Sequence, residues 1–249
     1  MRASAIEFRL RMAIVTIAVM LGFWSPWIEG WGIGRRISLL EWLASELSRL
    51  GLTSSTVATP LVIVFGTLIS ALGALLRVCG TAYLGSEIAK NAEMKAGTVM
   101  ADGPYRYVRN PLYLGLWFAL AATAFIMPAT GALVSLSLLT LFLIRLVLGE
   151  EAFLSSKVGE AYRAYLRAVP RFIPRLRPAL PSAGRKPRWG QALIYEMYPV
   201  CLFFIMAVLS WTYNNRLMQK GVLVAFGLSL IGRVLLRMNV QSSRQEKVL

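Results

Sequence analysis

Between Thr59 and Leu84 the chain runs without an acidic residue and with a single basic one, Arg77. The hydrocarbon core of a bilayer is about 30 Å thick and takes about 20 apolar residues of helix to cross. Only a helix or a closed barrel satisfies its own backbone there, so a stretch of this kind restricts the chain to few folds. Five further apolar stretches give expected spans at 10–28, 59–84, 111–127, 130–148, 193–212 and 221–238. Composition agrees. Hydrophobic residues make up 57% of the 249 and charged residues 16%, against about 45–50% and about 25% in soluble domains. The expected fold is all-α, a polytopic membrane protein of about six transmembrane helices forming one integral domain.

Local signals refine the spans. The first follows Arg2, Arg9 and Arg11 as a signal peptide would, but Trp24, Trp27 and Trp31 come after it as an interfacial aromatic belt, with no small-residue cleavage site. Thr59-Pro60 is expected to open the second, with a capping residue and then proline at the first helical position. Its Gly66, Ser70 and Ala74 recur every four residues, which lets another helix come close. Met127 to Gly131 joins the third and fourth spans as a tight hairpin. Residues 38–50 are amphipathic, with Leu39, Leu43, Leu47 and Leu50 on one face, and are expected to lie flat on the outer interface. With both termini cytoplasmic, 19 Lys/Arg fall in inside segments and five in outside ones, with Arg77, Arg145 and Arg233 within spans.

The sequence has no histidine, and its two cysteines, Cys79 and Cys201, lie far apart in apolar stretches. A histidine base, a Ser-His-Asp triad, histidine-ligated metals and a disulfide framework are excluded. Net charge is +15, and residues 155–190 hold nine Lys/Arg against one acid, Glu160. Flanked by apolar spans, that block points to anionic lipid rather than nucleic acid.

Chemistry-bearing residues collect in two segments that the hairpin brings together. One runs from Asp102 through Gly103-Pro104-Tyr105-Arg106-Tyr107 to Arg109-Asn110-Pro111, Tyr113 and Gly115. Guanidinium forks interleaved with aromatic faces suit a planar ligand bearing a carboxylate, although the arginines also fit as membrane anchors. The other runs from Glu150-Glu151 through Gly159, Tyr162 and Tyr165 to Val169-Pro170-Arg171 and Pro174. Two carboxylates at a helix C-terminus oppose the dipole, so they need either the basic segment behind them or a cationic or hydroxyl-bearing ligand. Arg145, inside the fourth span, has no partner at helical spacing in its own helix and is a site candidate on that ground. Arg77, nearer its helix end, reads as an anchor.

These segments together resemble the isoprenylcysteine carboxyl methyltransferase and phospholipid methyltransferase superfamily of integral membrane enzymes. That superfamily shows Gly-Pro-Tyr-Arg-x-x-Arg-His-Pro-x-Tyr-x-Gly before a hairpin, matched here by Gly103 to Gly115. It shows Glu-Glu, Gly-x-x-Tyr-x-x-Tyr and Val-Pro-Arg after it, matched by Glu150 to Pro174. The resemblance implies a methyltransferase-like core over 85–175, flanked by N-terminal spans over 1–84 and two C-terminal spans over 190–249. It implies S-adenosylmethionine as cofactor, in a cytoplasmic-face pocket. Tyr105, Arg109, Asn110, Pro111, Tyr113 and Gly115 would line one wall, and Glu150, Glu151, Tyr162, Tyr165 and Arg171 the other. Arg145, Glu150 and Glu151 are the candidates for the chemical step, with no metal. Asn110 stands where the family usually has histidine. It can bind or orient a ligand but cannot titrate near neutrality.

The implied activity is methyl transfer to a lipid carboxylate, a prenylcysteine carboxylate or a lipid amine arriving through the bilayer. Two other readings stay open on the sequence. One is an NADPH-dependent sterol or enone reductase, because such enzymes resemble this superfamily in their final helices. The other is a non-enzymatic protein that binds anionic lipid through the basic block.

Overall fold

The computed structural model describes residues 3–24, 37–84 and 101–245, with the side chains of 233 and 236–245 left aside. Trp27, Trp31, the end of the first expected span, residues 85–100 and the Arg233 side chain lie outside the described residues. Ten α-helices follow in order among those described: α1 (Ala5–Arg9), α2 (Arg11–Phe23), α3 (Leu39–Arg49), α4 (Ser55–Leu84), α5 (Pro111–Ala124), α6 (Ala129–Val158), α7 (Glu160–Ala168), α8 (Trp189–Tyr195), α9 (Met197–Val208) and α10 (Asn215–Gln245). Single 3-10 turns occupy Gly103–Arg106 and Leu209–Thr212.

Among the described residues, α4 and α6 are long and apolar enough to cross a membrane. Helices α8 and α9 form a third candidate if taken together, bent by 73°. Helices α2 and α5, at 13 and 14 residues, are apolar but shorter.

Helix α4 is the centre of the bundle, packing most extensively on α5 and also on α9, α3 and α8. It starts at Ser55, earlier than Thr59, and takes Pro60 inside its early turns. The proline forfeits only one backbone bond that near the start. The close-packing face contains Gly66, Gly73 and Gly80. A Cβ on Gly73 would stand 2.9 Å from the Ala119 backbone nitrogen, and one on Gly80 would stand 2.7 Å from Leu112. Gly73, not Ala74, makes the contact, because the face follows the 3.6-residue turn rather than a strict four.

At the hairpin end of the bundle, Ser38 and Glu41 form a capping box for α3. Leu39 and Leu40 donate their backbone N–H groups to Met127 and Phe125. The face of α3 turned to the core carries Leu40 and Ala44, with Leu43 and Leu47 half-buried beside them, while Leu50 is exposed. Of the expected stripe, Leu39, Leu43 and Leu47 pack on the core, while Leu50 does not. The protein core takes that face.

Helix α6 does not stop near 148. It continues to Val158 and ends where Gly159 turns left-handed, at φ 73°. Glu150 and Glu151 thus lie two turns inside a helix rather than at its terminus. The dipole penalty expected of them falls away, because that effect is confined to the last turn.

Candidate functional site

At the end of the bundle opposite α3, Asn110 occupies the cap position of α5, with Pro111 as its first residue. Asparagine at that position normally caps with its own side chain. Here it makes no cap bond. Its Nδ2 donates instead to Glu151 Oε1 at 3.2 Å and to the Arg171 carbonyl at 3.5 Å.

Glu151, only 5% exposed, is the hub. Arg171 grips it from one side, with Nη2 and Nε 2.8 and 3.0 Å from Oε2. Arg109 Nη1 approaches Oε1 at 3.4 Å. The rest of the Arg109 fork donates to the carbonyls of Leu166 and Val169, closing the open end of α7. The arginine therefore ties three pieces together: the α5 entry, α6 and the end of α7. The Glu151 bond pushes the Arg171 pKa further above its ordinary value.

A groove of about 440 Å³ opens beside this hub. Glu151, Ala152 and Ser155 of α6 form its floor, Arg163 and Leu166 of α7 one wall, and Arg171 its edge. Glu150 is on another side of the helix, as the 100° step between neighbours requires. It faces Tyr113 and Arg11. The expectation of twin glutamates in one wall becomes one glutamate in the groove and one beside Tyr113.

The remaining expected residues are placed as follows. Tyr105 lies within the 3-10 turn, its hydroxyl buried and without a hydrogen-bond partner among the described residues. Burial pushes its pKa far up, so it stays a neutral phenol. Tyr165 donates its hydroxyl to the Tyr105 carbonyl at 3.0 Å. The Tyr162 and Tyr165 rings lie 5.7 Å apart, buried in a small cluster with Ala101, Leu154 and Val169. Burial raises both pKa values as well. Gly115 leaves room for protein rather than ligand: its missing Cβ would stand 2.9 Å from Arg77 Cγ and 3.0 Å from the Gly73 carbonyl. Arg145 is held by both Glu7 oxygens, at 2.9 and 3.0 Å, and docks α1 onto α6. The backbone N–H of Ser4 and then Arg145 hold the Glu7 carboxyl at about 2.

Three residues outside the expected set also shape this end. Arg77 is not an anchor. Its Nε and Nη2 each reach a Glu196 oxygen at 2.7 Å, Thr81 donates to the same carboxylate at 2.6 Å, and Arg77 Nη1 reaches the Leu112 carbonyl at 3.2 Å. Glu196 sits at the bend between α8 and α9 and is the single charged residue between Trp189 and Thr212, which was the available signal. Asp102, ahead of the Gly103-Pro104 turn, accepts from the Ser182 hydroxyl and from the Ala183 and Arg185 N–H groups.

Residues 61–161 match the family model described as phospholipid methyltransferase. That match spans well under half of the 249 residues. The matched stretch contains α4 from Leu61, the Asn110 entry, α5, α6 with Glu151, and the start of α7; Arg171 lies beyond it. The chain is also similar to the Protein-S-isoprenylcysteine O-methyltransferase of Schizosaccharomyces pombe, at 33% identity over 93 residues. That stretch is 36% of this chain and 38% of the yeast protein, so the chain matches well under half of its relative's length. No solved structure matches the chain.

Proposed function

We propose that the chain is an integral membrane methyltransferase that takes S-adenosylmethionine in the groove beside Glu151. The acceptor would be a lipid or lipid-linked group at the membrane face, either a prenylcysteine carboxylate or a lipid amine. The observation that carries this reading is the hub itself. A buried carboxylate, two guanidinium forks and a non-capping asparagine converge on one another, Glu151 and Arg171 of that hub line the groove, and all but Arg171 fall within the matched stretch.

The residues present fit such a cofactor. The groove volume lies in the range of about 300–1,000 Å³ usual for small-molecule sites. The donor set matches the ligand's two polar ends: guanidinium for its carboxylate, and the Glu151 carboxylate for an ammonium or a ribose diol. When bound, the sulfonium supplies an already activated methyl group. The chain's own task is then to hold, align and exclude water. Glu151 and Arg171 satisfy each other while the groove is open, so ligand binding exchanges partners rather than creating a bare charge. Glu150 is placed apart from the hub and can take a proton from an ammonium acceptor; a carboxylate acceptor needs no base.

The Lys/Arg asymmetry supports a multi-pass arrangement with both termini cytoplasmic, which puts the hub on the cytoplasmic side. The reading is tested by incubating the purified chain in nanodiscs with methyl-labelled cofactor and either phosphatidylethanolamine or a prenylcysteine. Label is expected in the acceptor with the native chain and at background with Glu151→Gln. Equal labelling by both proteins would contradict it.

A further inference from the structure

After α7 the chain leaves helix from Val169 to Arg188, and this stretch is stitched down along its length. Arg109 donates its N–H to the Pro170 carbonyl at 2.9 Å, Arg175 donates to Tyr107 at 3.0 Å, and Ala179 donates to Arg106 at 2.8 Å. The Arg106 guanidinium returns to the Leu180 carbonyl at 2.7 Å. Asp102 clamps 182–185, and Arg188 donates to Ala82 at 3.0 Å. The strap is thus fixed at one end beside Pro111, where α5 starts, and at the other beside Leu84, where α4 stops. Both attachments are at helix ends, so the strap runs across the end of the bundle that carries the Glu151 hub.

What it presents there is not an ordinary loop surface. Ile173 is 82% exposed and Leu176 fully exposed, alternating with the exposed Arg175 and Arg177. Glu160, the one acid of the basic block, is already taken by Arg163 and Arg167 at 2.8 and 2.6 Å. Among the described residues neither Arg175 nor Arg177 has an acidic partner. Trp189, half-exposed and edge-on to Tyr83 at 6.2 Å, stands where the strap rejoins the bundle, and tryptophan is a residue favoured at membrane interfaces.

We propose that residues 170–188 form a membrane-docking strap, which inserts Ile173 and Leu176 between the headgroups of an anionic leaflet while Arg175 and Arg177 pair with lipid phosphates and carboxylates. Bare leucine and isoleucine side chains in water gain by such burial, and flanking guanidiniums reach up to the headgroups. A net positive strap with no acid of its own selects an anionic surface over a neutral one. Arg171 is part of the same strap, so docking of the strap also fixes the edge of the groove. The docking claim is independent of the methyltransferase reading, and its test uses no cofactor.

The full chain is reconstituted in vesicles of phosphatidylcholine alone or with phosphatidylserine. It carries Leu176→Cys, labelled with an environment-sensitive fluorophore, on a Cys79→Ser, Cys201→Ala background. The label is expected to shift to shorter wavelength and to be quenched by bromolipids in the anionic vesicles, and much less in the neutral ones. Arg175→Gln with Arg177→Gln, both exposed and remote from the core, is expected to weaken that docking about thirtyfold, from two lost surface charges. A label that stays in water in both vesicles overturns the proposal. So does a label buried equally in both and indifferent to the arginine changes, which would mean apolar contact without anionic recognition.

Discussion

Arg171 and Glu151, twenty residues apart, are joined by a side-on ion pair whose two shortest bonds measure 2.8 and 3.0 Å. The carboxylate is buried and the guanidinium is 40% exposed at the edge of the groove. That asymmetry makes Arg171 the movable member. Arg171→Lys keeps the charge but loses the fork, and Arg171→Ala leaves Glu151 with only Arg109 and Asn110. The alanine variant is expected to lose about 1–2 kcal/mol, well under the figure of roughly 3–5 for a fully buried pair. The lysine variant should fall between it and the native chain. Thermal unfolding in detergent checks the order.

The Arg77–Glu196 pair behaves differently, because both partners are largely buried and Thr81 and Leu112 complete it. Either single alanine substitution strands a charge, at a cost of roughly 3–5 kcal/mol. Unfolding midpoints should drop by on the order of 10 °C. Arg77→Met combined with Glu196→Leu should recover most of the loss. A double variant no better than the singles would show that the pair has a role besides mutual neutralisation.

Gly73 and Gly115 face each other where α4 and α5 meet: a Cβ on Gly73 would stand 3.2 Å from the Gly115 carbonyl oxygen, and one on Gly115 3.0 Å from that of Gly73. The nearest obstructions include backbone atoms, which cannot turn aside as a side-chain tip can. Gly115→Ala is expected to cost about 1–3 kcal/mol by forcing the helices apart. Gly227→Ala, with open space around it, should be neutral or slightly stabilising. Paired melting curves of the two variants decide this.

Asp102 gives the strap an acid-sensitive latch. Burial raises its pKa, but the Ser182 hydroxyl, the Arg185 and Ala183 N–H groups and the charge of Arg106 together outweigh that and hold it below 3.8. A carboxyl with a depressed folded pKa stabilises above its unfolded value and loses that contribution as pH falls through the folded one. Hydrogen-exchange protection at Ala183 and Arg185 should be flat from pH 7 to pH 4 and decline below 3.8. In Asp102→Ala it should be low throughout, with no such inflection.

How far these features were legible follows from the range of the interactions. The meeting of Asn110, Arg109, Glu151 and Arg171 could be read because one short hairpin and contiguous motifs dictate it. The helical class and the long apolar α4 and α6 were legible for the same local reason. Glu150 was paired with Glu151 by adjacency, yet neighbours on a helix point 100° apart and only one can face the groove. Gly115 was read as ligand space when the Arg77 side chain fills it. Arg77 and Glu196 find each other across 119 residues, and no spacing rule reaches that far. The end of α6 was placed near 148 because apolarity stops there, whereas the helix is carried on to Gly159 by ion pairing of Glu151 and by packing of Leu154.

The central claim, that the Glu151 hub holds S-adenosylmethionine, is tested most directly by equilibrium binding of labelled cofactor to the purified chain. Saturable binding is expected in the native protein, with a loss of at least tenfold in affinity for Glu151→Gln and for Arg109→Ala. Affinity should be unchanged in Ser45→Ala, on the exposed side of α3 at the far end of the bundle. Equal binding by the native chain and both hub variants, or no saturable binding at all, would contradict it.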